Sequence, residues 1–553
     1  MVGWGWRYLV ARPALGLVLV FLVALAVFSY LQPPGRLADP DSFYHVGLTT
    51  LLRDGGVLRE FPWTQSSLYR QIFIDHHWGY HLLLLPFVSL LPGLSGLQLA
   101  TTVFAALTIT ACAWCLMKWR VPWWGAGVVL LLTAGPLLFR LSLGKAPALG
   151  VGVAVLGYYL ITARKYGWLF WWSWFFTWLY SAWPLLLVMA VVYVAVESMS
   201  NDESKYNQLD KFSIFNFQFL LNQPNLKIKN YSLKIVSWLT VFIKKFLAQQ
   251  NLYLFGVIIA GYAAGLIINP YFPTNLLYLK QLFAMALVAY RKFIGVGGEW
   301  YPYGPAELAA NLAYPILIWL LATVAAALTW SRQSVLSRTT WVLAVVFLLY
   351  TLRARRQVEY LTPWLVLSIG LMVRDAWDKR VNLGELWQEF CSWLPWWLSG
   401  RLVLGFLGVY LLLLVPWGLW RGVASAREGL ATGFQFSRLA SASTWLKQNT
   451  PSGSIVFQND WGGFPILFYH NTHNYYLTGL DQTFMYEYDR DHYWQWVGVT
   501  TALRHDVYEV ARNTFQTSYV LLDKQYPAML TWINRDDRIR KVYEDSEAII
   551  FKL

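Results

Sequence analysis

Long apolar segments alternate with short polar loops along most of this chain. A helix needs roughly 20 mostly apolar residues to cross a bilayer, and many of the segments approach that length. The pattern predicts eleven membrane-spanning helices, at 13–31, 97–117, 122–139, 146–163, 167–180, 183–196, 252–268, 308–330, 341–352, 360–373 and 403–419. Segment 82–95 is apolar but short and contains Pro86 and Pro92, which favours an exterior or re-entrant helix.

The polar stretches divide the chain into two domains. The predicted transmembrane domain, 1–431, contains a first exterior loop at 32–96, a cytoplasmic insertion at 198–250 and a long exterior loop at 269–307. From residue 432 the composition becomes that of a globular protein, with strand-like apolar runs at 454–458, 518–522 and 548–553. The sequence therefore predicts a polytopic α-helical membrane protein with a C-terminal exterior α/β domain at 432–553.

Composition supports a membrane location. Hydrophobic residues make up 57% of the 553 residues and charged residues only 13%, whereas soluble domains contain about 25% charged residues. The formal net charge of +14 comes largely from short basic loops, which the positive-inside rule explains, so we expect no nucleic-acid partner. Arg7 and Arg12 precede the first span, which predicts a cytoplasmic N-terminus. The expected location is a prokaryotic plasma (inner) membrane, with the C-terminal domain outside.

Two polar clusters in the first exterior loop are candidates for chemistry. Residues 39–45 read DPDSFYH and follow the first span directly, and residues 75–81 read DHHWGYH. Carboxylates at a membrane boundary are costly unless they bind or react with something. Asp39 or Asp41 could instead cap a helix that begins at Ser42. The histidines lack the regular spacing of a zinc site, which favours packing at the interface.

Several cations fall on the exterior side, against the topological bias. They are Arg140, Lys145 and the run 353–356, which reads RARR. An anion is their natural partner, and a lipid phosphate is the anion that a membrane surface offers. The run at 353–356 could equally anchor the chain to lipid headgroups.

The order of these features resembles the GT-C membrane glycosyltransferases, most closely the catalytic subunits of oligosaccharyltransferases. Those proteins have an acidic motif in the first exterior loop, similar to 39–45, and an Arg-Ser motif at the next exterior turn, similar to RLSLG at 140–144. A glutamate ends their fifth exterior loop, as Glu299 does in GVGGEW, and a late arginine opens a span, as Arg356 does. Their Trp-Trp-Asp-Tyr-Gly motif opens the exterior domain, where this chain has QNDWG at 458–462.

Two departures from that pattern affect the function that the resemblance implies. Where the family has a second acidic motif that helps to bind a divalent metal, this chain has Lys145. Gln458 and Asn459 stand in place of the paired tryptophans of the acceptor-binding motif. A related branch transfers single sugars from polyprenyl monophosphates without a metal and uses basic residues on the phosphate, which suits Lys145 better.

The resemblance implies a glycosyltransferase that moves a sugar from a polyprenyl-phosphate-linked donor to a glycan, lipid or protein acceptor, among membrane lipids. Asp41 is the first choice for the base that takes the acceptor proton, with Asp39 and Glu299 as further catalytic candidates. The candidates for binding the donor phosphate are Lys145, Arg140, Arg355 and Arg356. The candidates for binding the acceptor are Asp460, Trp461, His45 and His77.

No cofactor is expected as the first choice. The alternative enzyme is a metal-dependent oligosaccharyltransferase that glycosylates protein, with Mg²⁺ or Mn²⁺ held by Asp41 and Glu299. A transporter or a non-catalytic scaffold for envelope polysaccharide assembly is the alternative from another class. A transporter would favour internal repeats and charged or broken helices at mid-membrane depth, and the sequence has no evident repeat and few such charges.

Overall fold

A computed structural model describes residues 13–200, 239–287, 289–378 and 400–553. The helices of the transmembrane domain are α1 Pro13–Leu31, α2 Asp41–Gly55, α3 Leu68–Gln71, α4 Trp78–Leu90, α5 Gly93–Lys118, α6 Trp124–Leu132, α7 Gly135–Leu141, α8 Pro147–Thr162, α9 Tyr166–Leu179, α10 Leu185–Ser200, α11 Gln249–Ile267, α12 Leu279–Ala286, α13 Pro305–Asn311, α14 Ala313–Leu328, α15 Val335–Arg353, α16 Val358–Asp378 and α17 Gly400–Ala431. Most of the predicted cytoplasmic insertion, 198–250, lies outside the described residues.

Four of these helices, α1, α5, α11 and α15, are long and apolar enough to cross a membrane by themselves. Two bent pairs raise the number to six if each pair forms one span, and α4, α8 and α10 are shorter apolar helices. The described part of the chain therefore has the helical, apolar character that the sequence predicted. The count of eleven spans stays a prediction.

The two bent pairs correct the prediction of continuous spans at 122–139 and 308–330. Helices α6 and α7 meet at an angle of 81°, and the two helices at Pro305–Asn311 and Ala313–Ala327 meet at 94°. At the first bend, Pro136 lacks a backbone N–H and disfavours helix at the residue before it. Gly135 also lies against Gly422 of α17. A Cβ atom added at Gly135 would lie 3.0 Å from the Gly422 carbonyl oxygen.

The C-terminal domain is built around a five-stranded mixed sheet. Its strands are β3 Ile455–Gln458, β4 Tyr475–Tyr476, β5 Tyr519–Asp523, β6 Arg540–Glu544 and β7 Ala548–Lys552, in the spatial order β4-β3-β5-β7-β6. Strand β3 is parallel to β4 and β5, and β7 is antiparallel to β5 and β6. Its helices are α18 Ala440–Asn449, α19 Phe464–His470, α20 Gln482–Tyr488, α21 Arg490–Thr500, α22 Val507–Glu509 and α23 Leu530–Ile533. The three predicted strands are confirmed as β3, β5 and β7.

The loop at 32–96, predicted from the sequence as the first exterior loop, is joined to the C-terminal domain through backbone pairing and aromatic packing. Strand β1, Arg36–Leu37, pairs with β2, Phe434–Gln435, in an antiparallel ladder. The backbone amide of Gln65 donates to the carbonyl of Tyr476 on the edge strand β4, at 2.8 Å. Helix α2 packs against α19, where the ring centroids of Phe43 and Tyr469 lie 5.7 Å apart. These contacts fix α2, and the polar residues at its start, between the two domains.

Candidate active site

A cavity of about 860 Å³ lies where the first exterior loop, the 269–307 loop, the apolar helices and the C-terminal domain meet. This volume is within the range of small-molecule binding sites. Every candidate site residue predicted from the sequence lines this cavity except Arg355: Asp39, Asp41, His45, His77, Arg140, Lys145, Glu299, Arg356, Asp460 and Trp461. The folded chain therefore brings together residues from four distant parts of the sequence.

Lys145 joins the two carboxylates of the acidic motif. Its Nζ lies 2.7 Å from Asp39 Oδ2 and 2.8 Å from Asp41 Oδ2. Asp39 Oδ1 also accepts a hydrogen bond from the Asp41 backbone amide at the start of α2, at 2.9 Å. Helix α2 begins at Asp41 and its N-cap residue is Pro40, so neither aspartate is the cap that the sequence suggested, although Asp39 binds the first helical amide. The Asp41 side chain is about twice as exposed, at 33% against 16% for Asp39, and faces the cavity.

The environment of Asp41 suits a proton acceptor near neutral pH. Burial raises the pKa of Asp41 to about 6, with Asp39 acting in the same direction and Lys145 opposing it. Burial disfavours the charged form of Lys145, but the carboxylates of Asp39 and Asp41 outweigh it and raise the Lys145 pKa above its usual range. A carboxylate that is ionised at neutral pH but titrates close to it can take a proton in a reaction step.

A second charged cluster also lines the cavity. Arg140 Nη1 lies 2.5 Å from Glu299 Oε2, and Arg140 Nη2 lies 2.8 Å from Glu359 Oε2. Arg356 Nη1 contacts Glu299 Oε1 at 2.9 Å, and Arg356 Nη2 donates to the Tyr180 hydroxyl at 2.9 Å. The Tyr180 hydroxyl in turn donates to Glu359 Oε1 at 3.3 Å. The two arginines are therefore held in place by the two glutamates and the tyrosine.

Glu299 acts as an anion between two arginines. Burial by itself would raise the Glu299 pKa, but Arg356 and Arg140 outweigh it and hold the pKa well below its usual range. The carboxylate therefore stays ionised and is a weaker proton acceptor than Asp41. Its position, shared by two guanidinium groups, is one that a phosphate group could take, because arginine binds carboxylate and phosphate with the same geometry.

Arg355 lies outside this cavity. Its guanidinium stacks over the Tyr303 ring at 5.2 Å and donates to the Pro302 carbonyl at 3.2 Å. It lines a smaller cleft of about 360 Å³, which Arg140, Glu299 and Arg356 also line, and its side chain is 40% exposed. Arg355 and Arg356 are adjacent in the short helical turn at 355–357, but only Arg356 also reaches the larger cavity. The sequence alone did not separate them.

The histidines of the two polar clusters meet on one side of the cavity. The His45 and His81 rings are joined by a hydrogen bond of 2.8 Å between Nδ1 and Nε2, and His81 Nδ1 lies 2.6 Å from Asp75 Oδ2. The His77 ring lies 5.5 Å from the His45 ring and 5.7 Å from the Tyr180 ring, measured between centroids. His45 and His77 line the cavity, whereas His81 and Asp75 are buried behind them.

Near β3, the QNDWG stretch has both structural and cavity-lining residues. Gln458 is buried and accepts from the Leu477 amide at 3.0 Å, and Asn459 accepts from the Asp523 amide at 2.7 Å. Asp460 lines the cavity, accepts from the Gly462 amide at 3.0 Å, and has its pKa raised to about 6 by burial. The residues at the places of the family's paired tryptophans thus hold the domain together.

Many lining residues were not among the sequence candidates, and three of them, Glu359, Tyr180 and Asp481, have polar side chains beside or near the charged groups. Glu359 is 1% exposed and holds Arg140, Tyr180 connects Arg356 to Glu359, and Asp481 lines the cavity at the start of α20. Glu359 could have been identified, because a carboxylate in the first turn of an otherwise apolar helix needs a partner. Tyr180 ends α9 and has no sequence signal that distinguishes it from the other interfacial tyrosines.

The fit of a divalent metal can be tested against these contacts. Among the described residues, no group of three or more His, Cys, Asp and Glu side chains is placed to hold a metal ion. Of the two predicted ligands, Asp41 is paired with the Lys145 ammonium and Glu299 with Arg140 and Arg356. A cation added between these carboxylates would face three fixed positive charges. In this arrangement Asp41 and Glu299 do not fit a divalent metal site.

No protein-family model matches the chain, and no curated protein matches it in sequence. Its structure is similar to that of the archaeal oligosaccharyltransferase AglB from Archaeoglobus fulgidus, solved with an inhibitory peptide and a dolichol-phosphate. The TM-score is 0.57 at 15% sequence identity, over 94% of this chain and 71% of AglB. A solved structure of an oligosaccharyltransferase from the same organism, tethered with an acceptor peptide, gives a TM-score of 0.53 at 13% identity, over 96% of this chain and 73% of that one.

The structure is also similar to ArnT from Cupriavidus metallidurans bound to undecaprenyl phosphate. The TM-score is 0.51 at 12% identity, over 97% of both chains. Identities this low show the fold alone. The likeness covers nearly the whole chain, so the predicted resemblance is confirmed: this protein shares the GT-C fold of AglB and ArnT.

Proposed function

We propose that the protein is a membrane glycosyltransferase that transfers a sugar from a polyprenyl-phosphate-linked donor to an acceptor. The observation that carries the proposal is the single cavity that holds a carboxylate of raised pKa, Asp41, together with Arg140, Lys145 and Arg356. Such a site can accept a proton and bind a phosphate. The complexes of AglB with a dolichol-phosphate and of ArnT with undecaprenyl phosphate support a lipid phosphate as ligand of this fold.

In the proposed reaction, an acceptor oxygen or nitrogen attacks C1 of the donor sugar from the face opposite the phosphate. The bond from C1 to the phosphate oxygen breaks, the configuration at C1 inverts, and the acceptor proton passes to Asp41. Negative charge grows on the departing phosphate, which Arg356 and Lys145 stabilise in a partly dry cavity. In this proposal the donor phosphate displaces Glu299 from its place between the arginines when the donor binds, before the reaction begins.

The proposal places this cavity at the exterior face of a prokaryotic plasma membrane. It includes eleven spans, a cytoplasmic N-terminus and an exterior C-terminal domain. One observation supports this topology: the first exterior loop, the 269–307 loop and the C-terminal domain all contribute to one cavity. The pattern of basic loops predicted these three segments on the same side of the membrane. Single-cysteine labelling of intact cells tests this topology, with position 299 accessible and position 225 protected.

We further propose that transfer needs no metal. The Lys145 ammonium lies between the two carboxylates of the acidic motif, at the distances of ion pairs, and supplies the positive charge that a divalent ion would otherwise provide. The metal-dependent oligosaccharyltransferase stays the alternative, with the likeness to AglB in its favour. Protein, glycan and lipid acceptors are all compatible with this chemistry.

Two adjacent arginines provide a matched test of phosphate binding. Arg356 lines the cavity and pairs with Glu299, whereas Arg355 stacks on Tyr303 outside it. We expect Arg356→Gln to weaken binding of undecaprenyl phosphate to the purified protein at least about tenfold, because a charged hydrogen bond is lost. Arg355→Gln removes the same charge one residue away and should bind normally. Equal affinities of the two variants would contradict the proposed phosphate site.

A further inference from the structure

A chain of buried polar side chains leads from the protein interior to the cavity. Asp75 Oδ2 lies 2.6 Å from His81 Nδ1, and His81 Nε2 lies 2.8 Å from His45 Nδ1. All three residues are at most 5% exposed, and His45 lines the cavity. His45 also follows Asp41 by four residues on α2, so the two side chains share one face of the helix, about one turn apart.

The hydrogen bonds determine which ring nitrogens carry protons. Asp75 as a carboxylate can only accept, so His81 must donate to it from Nδ1–H. In a neutral His81 ring, Nε2 then has a lone pair and accepts from His45 Nδ1–H. Burial lowers the His45 pKa well below its usual range, which favours the neutral form of this ring. When both rings are neutral, the nitrogen that remains, His45 Nε2, has no proton and can only accept a hydrogen bond.

We propose that Asp75 and His81 fix His45 as a hydrogen-bond acceptor in the cavity, where its Nε2 binds a hydroxyl group of the sugar being transferred. A sugar presents several hydroxyl donors next to the carbon that reacts. Asp41 lies one helical turn from His45 on α2, and Lys145 is paired with Asp41. His45 would then be a substrate-binding residue, and Asp75 and His81 would be positioning residues. This inference rests on the proposed function and specifies part of its substrate: a sugar with a free hydroxyl near C1.

The two oxygens of Asp75 make an informative variant available. Asp75 Oδ1 accepts from the backbone amide of His77 at 3.0 Å, and Oδ2 accepts from His81. In Asp75→Asn, the backbone N–H of His77 still donates, so the side-chain oxygen of the asparagine must stay at that position as the acceptor. The side-chain NH₂ group of the asparagine then faces His81. Since an NH₂ group donates, His81 must then accept at Nδ1 and donate from Nε2–H to His45 Nδ1. The proton of neutral His45 moves to Nε2, and the acceptor in the cavity becomes a donor.

The nitrogen NMR signals of the histidine rings test this inference directly. We would label the full-length protein with ¹⁵N-histidine in detergent micelles and assign His45 with a His45→Gln variant. In the wild type we expect the proton of His45 on Nδ1, and in Asp75→Asn on Nε2. Asp489→Asn is the matched control, because Asp489 faces His492 at 3.9 Å in an exposed pair. A wild-type His45 protonated on Nε2, or no change in Asp75→Asn, would overturn the chain of proton positions.

Binding to three probes then tests the sugar contact and its source. Undecaprenyl phosphate, undecaprenyl phosphate glucose and methyl glucoside are added separately to the labelled protein. The inference expects the His45 Nε2 signal to shift with undecaprenyl phosphate glucose and not with undecaprenyl phosphate. A shift with methyl glucoside alone would mean that the hydroxyl belongs to the acceptor substrate, and it would overturn the assignment to the sugar of the donor substrate. If no sugar-bearing probe shifts the signal, the hydroxyl contact is wrong.

The same measurements separate this inference from the proposed function. We expect Asp75→Asn to bind undecaprenyl phosphate normally and undecaprenyl phosphate glucose about tenfold more weakly, because two donors then face each other. Normal binding of undecaprenyl phosphate also shows that the variant is folded. If the wild type binds none of the lipid phosphates, the proposed function fails while the proton positions stand. If it binds them with His45 protonated on Nε2, only the inference fails.

Discussion

Lys145→Met isolates the effect of the ammonium group that lies between Asp39 and Asp41. The substitution removes a positive charge at 2.7 and 2.8 Å from the two carboxylates and keeps most of the length of the side chain. Two carboxylates without a cation between them cannot both stay ionised in a buried site. We therefore expect Asp41 to hold its proton at pH values where the wild type has lost it.

The size of the effect follows from the surroundings of Asp41. Burial already raises its pKa to about 6, and Lys145 is the largest influence that lowers it. An opposite charge at this distance is worth about 1–3 pKa units, each unit being about 1.36 kcal/mol. The base works only when deprotonated, so the rate rises with pH through this pKa. With a shift of ~2 units, only about a tenth of the molecules would have an ionised Asp41 at pH 7.

The assay is transfer from a polyprenyl-phosphate-linked sugar, followed across pH 5–9 in detergent or nanodiscs. The wild type should reach half of its maximal rate near pH 6, and Lys145→Met should reach it at a higher pH. Lys280→Met is the control, because Lys280 is exposed and pairs with Glu487 away from the cavity. The absolute rate should also fall because Lys145 contributes to phosphate binding, so the midpoint is the decisive quantity. An unchanged or lower midpoint would refute the role of Asp41 as the base.

Three further predictions address the base, the metal and the support of the arginine cluster. Asp41→Asn should reduce transfer about 10²–10⁴-fold while binding of undecaprenyl phosphate persists. Normal turnover in this variant would mean that another residue acts as the base. Transfer should survive EDTA but fail in Lys145→Glu; loss with EDTA and recovery with Mn²⁺ would favour the metal-dependent alternative. Glu359→Gln should lower the apparent unfolding temperature clearly, because it leaves part of the buried Arg140 charge uncompensated. The exposed Glu307→Gln should change that temperature little, and equal shifts would contradict this view of Glu359.

The sequence by itself determined the class of the protein and the candidates for chemistry. Apolar segments near the length of a bilayer, with charges confined to loops, can be satisfied only by a bundle of membrane helices. The continuous apolar runs near the C-terminus identified three strands of the sheet. Asp41, Lys145 and Arg356 could be selected because charges at a membrane boundary are costly without a partner.

Tertiary structure decided how those charges are paired. Lys145 turned out to join Asp39 and Asp41, and Glu299 to lie between Arg140 and Arg356. The contacts of Glu299 span 159 residues of sequence to Arg140 and 57 to Arg356. Arg355 and Arg356 are equivalent by residue type and location in sequence, yet only the backbone turn between two helices places one of them in the cavity. The hydrogen-bonded chain from Asp75 through His81 to His45 likewise depends on the approach of α4 to α2. Side-chain pairing of this kind depends on packing between distant segments, which local periodicity and composition do not record.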